Sequence, residues 1–71
     1  MDIHDFEIGD ILRFKNDERF IKVDYYGVVI DKSVINGDFW IVWFNHQFIH
    51  SDVPQKYRFE NTYGHMWSVV V

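Results

Sequence analysis

The sequence predicts a small all-β barrel of about five short strands, and three observations carry that reading. Fourteen of 71 residues are Phe, Trp or Tyr, types that fit a pleated, half-buried surface. The apolar runs are short and bounded by polar or glycine-containing turns. Asn36-Gly37 lies between two of them, the strongest short-range hairpin signal. The C-terminal stretch alternates, Trp67, Val69 and Val71 against Ser68 and Val70, as a strand does.

Taken in order, Asp5 to Asp10 form a lead-in, with Gly9-Asp10 as a turn. Ile8, Leu12 and Phe14 alternate, so Asp10 to Lys15 reads as the first strand. Asn16-Asp17-Glu18-Arg19 is a polar loop tip, and the loop extends to Asp24 with Phe20, Ile21 and Val23 folding back. Tyr25 to Val34 is the second strand, rich in Tyr, Val and Ile. Phe39 to Asn45 is the third. Within residues 46–64, Ser51-Asp52-Val53-Pro54 suits a short helical turn capped by Ser51 or Asp52. Tyr57 to Glu60 suits a short strand, and Asn61 to Gly64 a turn. The remainder of that segment reads as an irregular insertion before the last strand, Met66 to Val71.

A two-residue Asn36-Gly37 turn would set the register. Ile35 would face Asp38, Val34 Phe39, Lys32 Ile41 and Ile30 Trp43. One face then carries Tyr26, Val28, Ile30, Val34, Phe39, Ile41 and Trp43, with Lys32 as its only charge. The other carries Gly27, Val29, Asp31, Ser33, Trp40, Val42 and Phe44. The first is the better core. The second mixes polar groups with large aromatics, as interfaces do. A one-residue slip exchanges the faces.

Seventy-one residues make one domain, 1–71. Domains this small bury only about 60% of their unfolded surface and are marginal without staples or partners. There is no cysteine, hence no disulfide and no thiolate metal site. Met1-Asp2-Ile3-His4-Asp5 is acidic, unlike the start of a signal peptide. The longest apolar run, Phe39 to Phe44, is far below the ~20 residues that span a bilayer, so no membrane role is expected. Seven basic against eleven acidic residues give a net charge of −4. Phosphate contacts need a basic footprint, so this charge disfavours nucleic acid.

The patterns Gly9-Asp10-Ile11-Leu12-Arg13, Tyr26-Gly27-Val28-Val29 and Ile41-Val42-Trp43-Phe44 resemble those of SH3-like small barrels of tailed bacteriophages. In outline they are similar to the KOW and Tudor branches of that architecture. The resemblance covers residues 6–45, and the closing strand loosely. It implies an SH3-like barrel, a phage-encoded protein, and a setting in the host cytoplasm or the virion.

Several constellations bear on function. Tyr25, Tyr26, Trp40, Phe44, Tyr57, Tyr63 and Trp67 are candidates for an aromatic cage holding a methylated cation, aided by Asp24, Asp31 or Asp38. The same rings equally suit a core or an interface. Nucleic-acid stacking on them is opposed by the charge. His46 and His50, near Asp52 and His65, are metal candidates by helical spacing, against ordinary loop histidines. The acidic residues Asp2, Asp5, Glu7, Asp10, Asp17 and Glu18 suit solubility or a basic partner. Ser33, Ser51 and Ser68 lack a nucleophile context, and the neighbours His50-Ser51-Asp52 cannot adopt triad geometry.

The expectation is a non-enzymatic protein–protein interaction module without a cofactor, acting as a virion or assembly component or on a host protein. Its surface would be Trp40, Val42 and Phe44, with Tyr25 and Tyr63 at the rim. A nucleic-acid-binding KOW- or Tudor-like barrel is the alternative.

Overall fold

A computed structural model describes residues 2–15, 24–46, 49–59 and 66–70. Among them are a 3-10 turn at Ile3–Asp5 and five strands: β1 Ile11–Lys15, β2 Asp24–Ser33, β3 Asp38–Trp43, β4 Gln55–Arg58 and β5 Trp67–Val70. The strands form one antiparallel sheet in the order β4-β3-β2-β1-β5. The sheet curls like a barrel. Trp67 on one edge strand lies 5.9 Å, ring to ring, from Tyr57 on the other. The all-β, five-stranded class is as the sequence predicts. The strand expected at Tyr57 to Glu60 is present as β4, displaced two residues toward the N-terminus. Ser51 and Asp52 sit in a turn closed by the Val53 N–H on the His50 carbonyl (3.2 Å), not in a helix.

The β2–β3 hairpin departs from the expected register, for a local reason. A two-residue type I′ turn needs positive φ at both central positions. No non-glycine residue has positive φ among the described residues, and Gly37 alone in this loop does (+71°). The loop therefore takes four residues, 34–37. The Gly37 N–H donates to the Ser33 carbonyl at 2.9 Å, and Ser33 pairs with Asp38.

This two-residue shift preserves the faces, but a second irregularity does not. Asp31 pairs with Trp40 while Val29 pairs with Ile41, which leaves Ile30 as a bulge. An inserted residue bends the strand and reverses the side-chain alternation beyond it. On β3 the expected faces stand: Phe39, Ile41 and Trp43 are buried. On β2 they are exchanged before the bulge. Tyr25 and Val29 point inward, while Tyr26 and Val28 lie on the other side and Ile30 is exposed. Both parities of β2 are apolar, so hydrophobic alternation alone could not decide between them.

Ile3, Phe6, Leu12, Tyr25, Val29, Phe39, Ile41, Trp43 and Trp67 make the core. Aromatic rings dominate it. Phe39 lies edge-on to Phe6 (5.3 Å) and Trp67 (5.2 Å), and Trp43 stacks on Trp67 (5.8 Å). Such offset and edge contacts suit the ring quadrupole. Gly27 faces this core because nothing larger fits. A Cβ there would lie 2.8 Å from Ile41 side-chain atoms and from the Val42 carbonyl oxygen.

The N-terminal lead-in is part of the core. Asp2 and Asp5 cap the first turn reciprocally: Asp2 Oδ1 accepts the Ile3 N–H (2.6 Å), and Asp5 Oδ2 accepts the Asp2 N–H (2.7 Å). Asp10 Oδ2 accepts the Glu7 N–H. Asp2, Asp5 and Asp10 thus each hold a backbone N–H, while Asp17 and Glu18 lie outside the described residues. Lys32, the one charge on the expected core face, fastens the segment. Its Nζ donates to the carbonyls of Ile3 (3.1 Å) and Phe6 (2.6 Å), with Glu7 at 3.7 Å and the Phe6 ring at 5.2 Å.

Candidate interaction face

The strand register defines the outer face of the sheet. Ile11 pairs with Val70 on one side and Val28 on the other, and Val28 pairs with Val42. These four side chains form a row crossing β5, β1, β2 and β3. At the usual ~4.8 Å strand spacing the row is about 14 Å long. Trp40 and Ile30 lie two positions from the row toward the hairpin loop. Tyr26 and Phe44 lie two positions away on the other side, joined by the Phe44 N–H on the Tyr26 carbonyl (2.8 Å).

The result is a continuous apolar band with no charged side chain among its eight members. Ile11, Ile30, Trp40, Phe44 and Val70 are 38–53% exposed; Tyr26, Val28 and Val42 are half-buried. Side chains of this size and exposure open on the order of 500 Å² of hydrocarbon, near the upper end of the largest patch on an ordinary monomer. Charged side chains adjoin it on the same face. Arg13 pairs with Tyr26 and lies 3.9 Å from Asp24, Asp31 pairs with Trp40 on one side, and Lys56, 3.4 Å from Asp38, pairs with Trp40 on the other.

Asn45 secures the end of the band. Its Oδ1 accepts the Tyr26 N–H (2.8 Å) and its Nδ2 donates to the Asp24 carbonyl (3.0 Å). The side chain thereby satisfies β2 backbone groups beyond the last residue of β3, and holds Phe44 beside Tyr26.

Of the residues picked from sequence, Trp40, Val42 and Phe44 share this face. Tyr25 does not: it is 6% exposed, with its ring stacked on His46 at 4.3 Å. The Ile30 bulge puts Tyr25, Gly27 and Val29, the odd positions before it, inside. Tyr63 lies outside the described residues, as does His65. Tyr26, Val28 and Ile30, assigned to the core from sequence, lie on the outer side. The available signal was Gly27, since an isolated glycine within a strand marks a bulge or a close backbone approach.

The other constellations separate. Tyr57 and Trp67 belong to the inner aromatic stack with Tyr25, and Trp43 Nε1 donates to Tyr57 Oη at 3.0 Å. Those three rings therefore face the core, while Tyr26, Trp40 and Phe44 face outward. His46 lies against Tyr25 and Trp43, and His50 is exposed in a turn. Among the described residues no three His, Asp or Glu side chains group as metal ligands. A polar depression lined by Asn36, Asp38, Lys56 and Arg58 lies at the hairpin end. No helix among the described residues is long and apolar enough to cross a membrane. Comparison with protein-family models, curated proteins and solved structures found no match.

Proposed function

We propose that this chain is a non-enzymatic protein–protein interaction module, and that it binds through the outer band of its sheet. The observation that carries the reading is the uninterrupted row Val70–Ile11–Val28–Val42, flanked by Trp40, Ile30, Tyr26 and Phe44. Burying ~500 Å² of hydrocarbon at ~25 cal/mol/Å² yields about 12 kcal/mol before costs. Association costs on the order of 4–15 kcal/mol. The gross gain is comparable to that cost, so net affinity rests on anchors of the kind that dominate interfaces, here Trp40 and Tyr26. A virion, assembly or host-directed role, in host cytoplasm or particle, follows the phage resemblance and belongs to this proposal.

Trp40→Ala and Phe44→Ala test the reading. Association of the wild-type chain, read as its own mass or as capture of another protein, should fall in both variants with an unchanged circular dichroism spectrum. Association that survives both substitutions places the binding surface elsewhere. The nucleic-acid alternative has one kind of observation in its favour: β4 sets Lys56 across from Trp40, and β1 sets Arg13 across from Tyr26. It predicts affinity for DNA or RNA that falls steeply with salt.

A further inference from the structure

We infer that the occupant of the outer band is a second copy of this chain, docked face to face about a two-fold axis that runs along the row Val70–Ile11–Val28–Val42. The inference rests on the reading of the band as an interaction face and adds the partner and the geometry. A standard interface takes about 800 Å² from each partner, and about 65% of a homodimer interface is apolar. The ~500 Å² of hydrocarbon on this face matches that share. The band is also self-complementary. An axis along the row sets each row residue opposite its own copy and brings Tyr26 and Phe44 of one chain over Ile30 and Trp40 of the other. Aromatic rings then meet aliphatic and aromatic side chains, with Arg13 beside Tyr26 and Asp31 and Lys56 beside Trp40 as the charged neighbours on the same face. Two-fold dimers are the commonest closed assembly, and a 71-residue domain gains most from one. Each copy carries a net charge of −4. Salt screens the resulting repulsion while leaving apolar burial intact, so association should tighten as salt rises.

The native chain has no cysteine, which makes the axis testable by single thiols. Packed sheets lie about 10 Å apart, within reach of a short bis-maleimide. Ile11→Cys, on the axis, should cross-link to itself in high yield. Ile30→Cys should cross-link poorly alone but well when mixed with Tyr26→Cys. Light scattering of the wild-type chain should give a dimer mass that persists at high salt, and the double variant Ile30→Lys/Phe44→Lys should be a folded monomer by mass and circular dichroism. A dimer that survives this double variant, or one in which Ile11→Cys fails to link, overturns the proposed geometry. A wild-type monomer at high concentration and high salt overturns the second copy as occupant. In that case, loss of a captured protein partner in the double variant would retain the interaction reading, and unchanged capture would remove both.

Discussion

Gly27→Ala tests how closely β2 and β3 pack at the point that sets the faces. The added Cβ would meet Ile41 Cδ1, Ile41 Cγ1 and the Val42 carbonyl oxygen, all at 2.8 Å. The Ile41 side chain can turn away in part. The carbonyl belongs to the backbone of β3 and moves only with the strand. Overpacking of this kind costs about 1–3 kcal/mol, offset by ~0.5–1 kcal/mol from the smaller conformational entropy of the unfolded alanine chain. The net expectation is a loss of about 1–2 kcal/mol. A domain of this length has on the order of 4–10 kcal/mol in total, and each kcal/mol lowers its midpoint by about 4–8 °C. The assay is thermal and urea unfolding followed by tryptophan fluorescence, at one fixed protein concentration because association would raise the midpoint. Adding Ile41→Val removes one of the three contacts and should recover only part of the loss. A Gly27→Ala protein as stable as the wild type would refute the close approach, and with it the inward placement of Tyr25, Gly27 and Val29.

Other substitutions separate core from face. Trp43→Ala, at a site 2% exposed, should cost ~3–5 kcal/mol in urea unfolding, whereas Trp40→Ala should cost far less while weakening association. Tyr57→Phe removes the acceptor of the Trp43 Nε1–H bond and should cost about 1 kcal/mol, with an altered tryptophan emission spectrum. Lys32→Met deprives the Ile3 and Phe6 carbonyls of their donor and should cost ~1–3 kcal/mol. The clearest readout there is faster hydrogen exchange at the Asp5 amide, which is bonded to the Asp2 carbonyl.

Fold class was legible because Leu12 and Phe14, Phe39, Ile41 and Trp43, and Trp67 and Val69 each alternate with a more exposed or more polar set. Trp40, Val42 and Phe44 were legible as one face for the same reason. β2 was not, since Tyr25-Tyr26-Gly27-Val28-Val29-Ile30 is apolar at both parities and only tertiary packing chooses between them. The loop length was misread because Asn36 would have to adopt positive φ, and a longer loop confines that conformation to Gly37. Phe6 was missed as a core residue because it stands alone between polar neighbours. Its ring packs against Phe39 and Phe59, both distant in sequence, while Lys32 holds its carbonyl. Asn45 was missed because a single side chain there takes over the role of another strand residue.

The outer band exists because the bulge at Ile30 turns β2 over, and thiol labelling tests that turn most directly. Ile30→Cys and Val29→Cys would be exposed to a maleimide dye at nanomolar protein, where association is minimal. With the bulge, the thiol at position 30 (42% exposed in the native residue) should react at close to the unfolded rate, and that at position 29 (1% exposed) should be strongly protected. The reverse order, protection at 30 and rapid reaction at 29, would mean that β2 runs unbulged and that the band is part of the core.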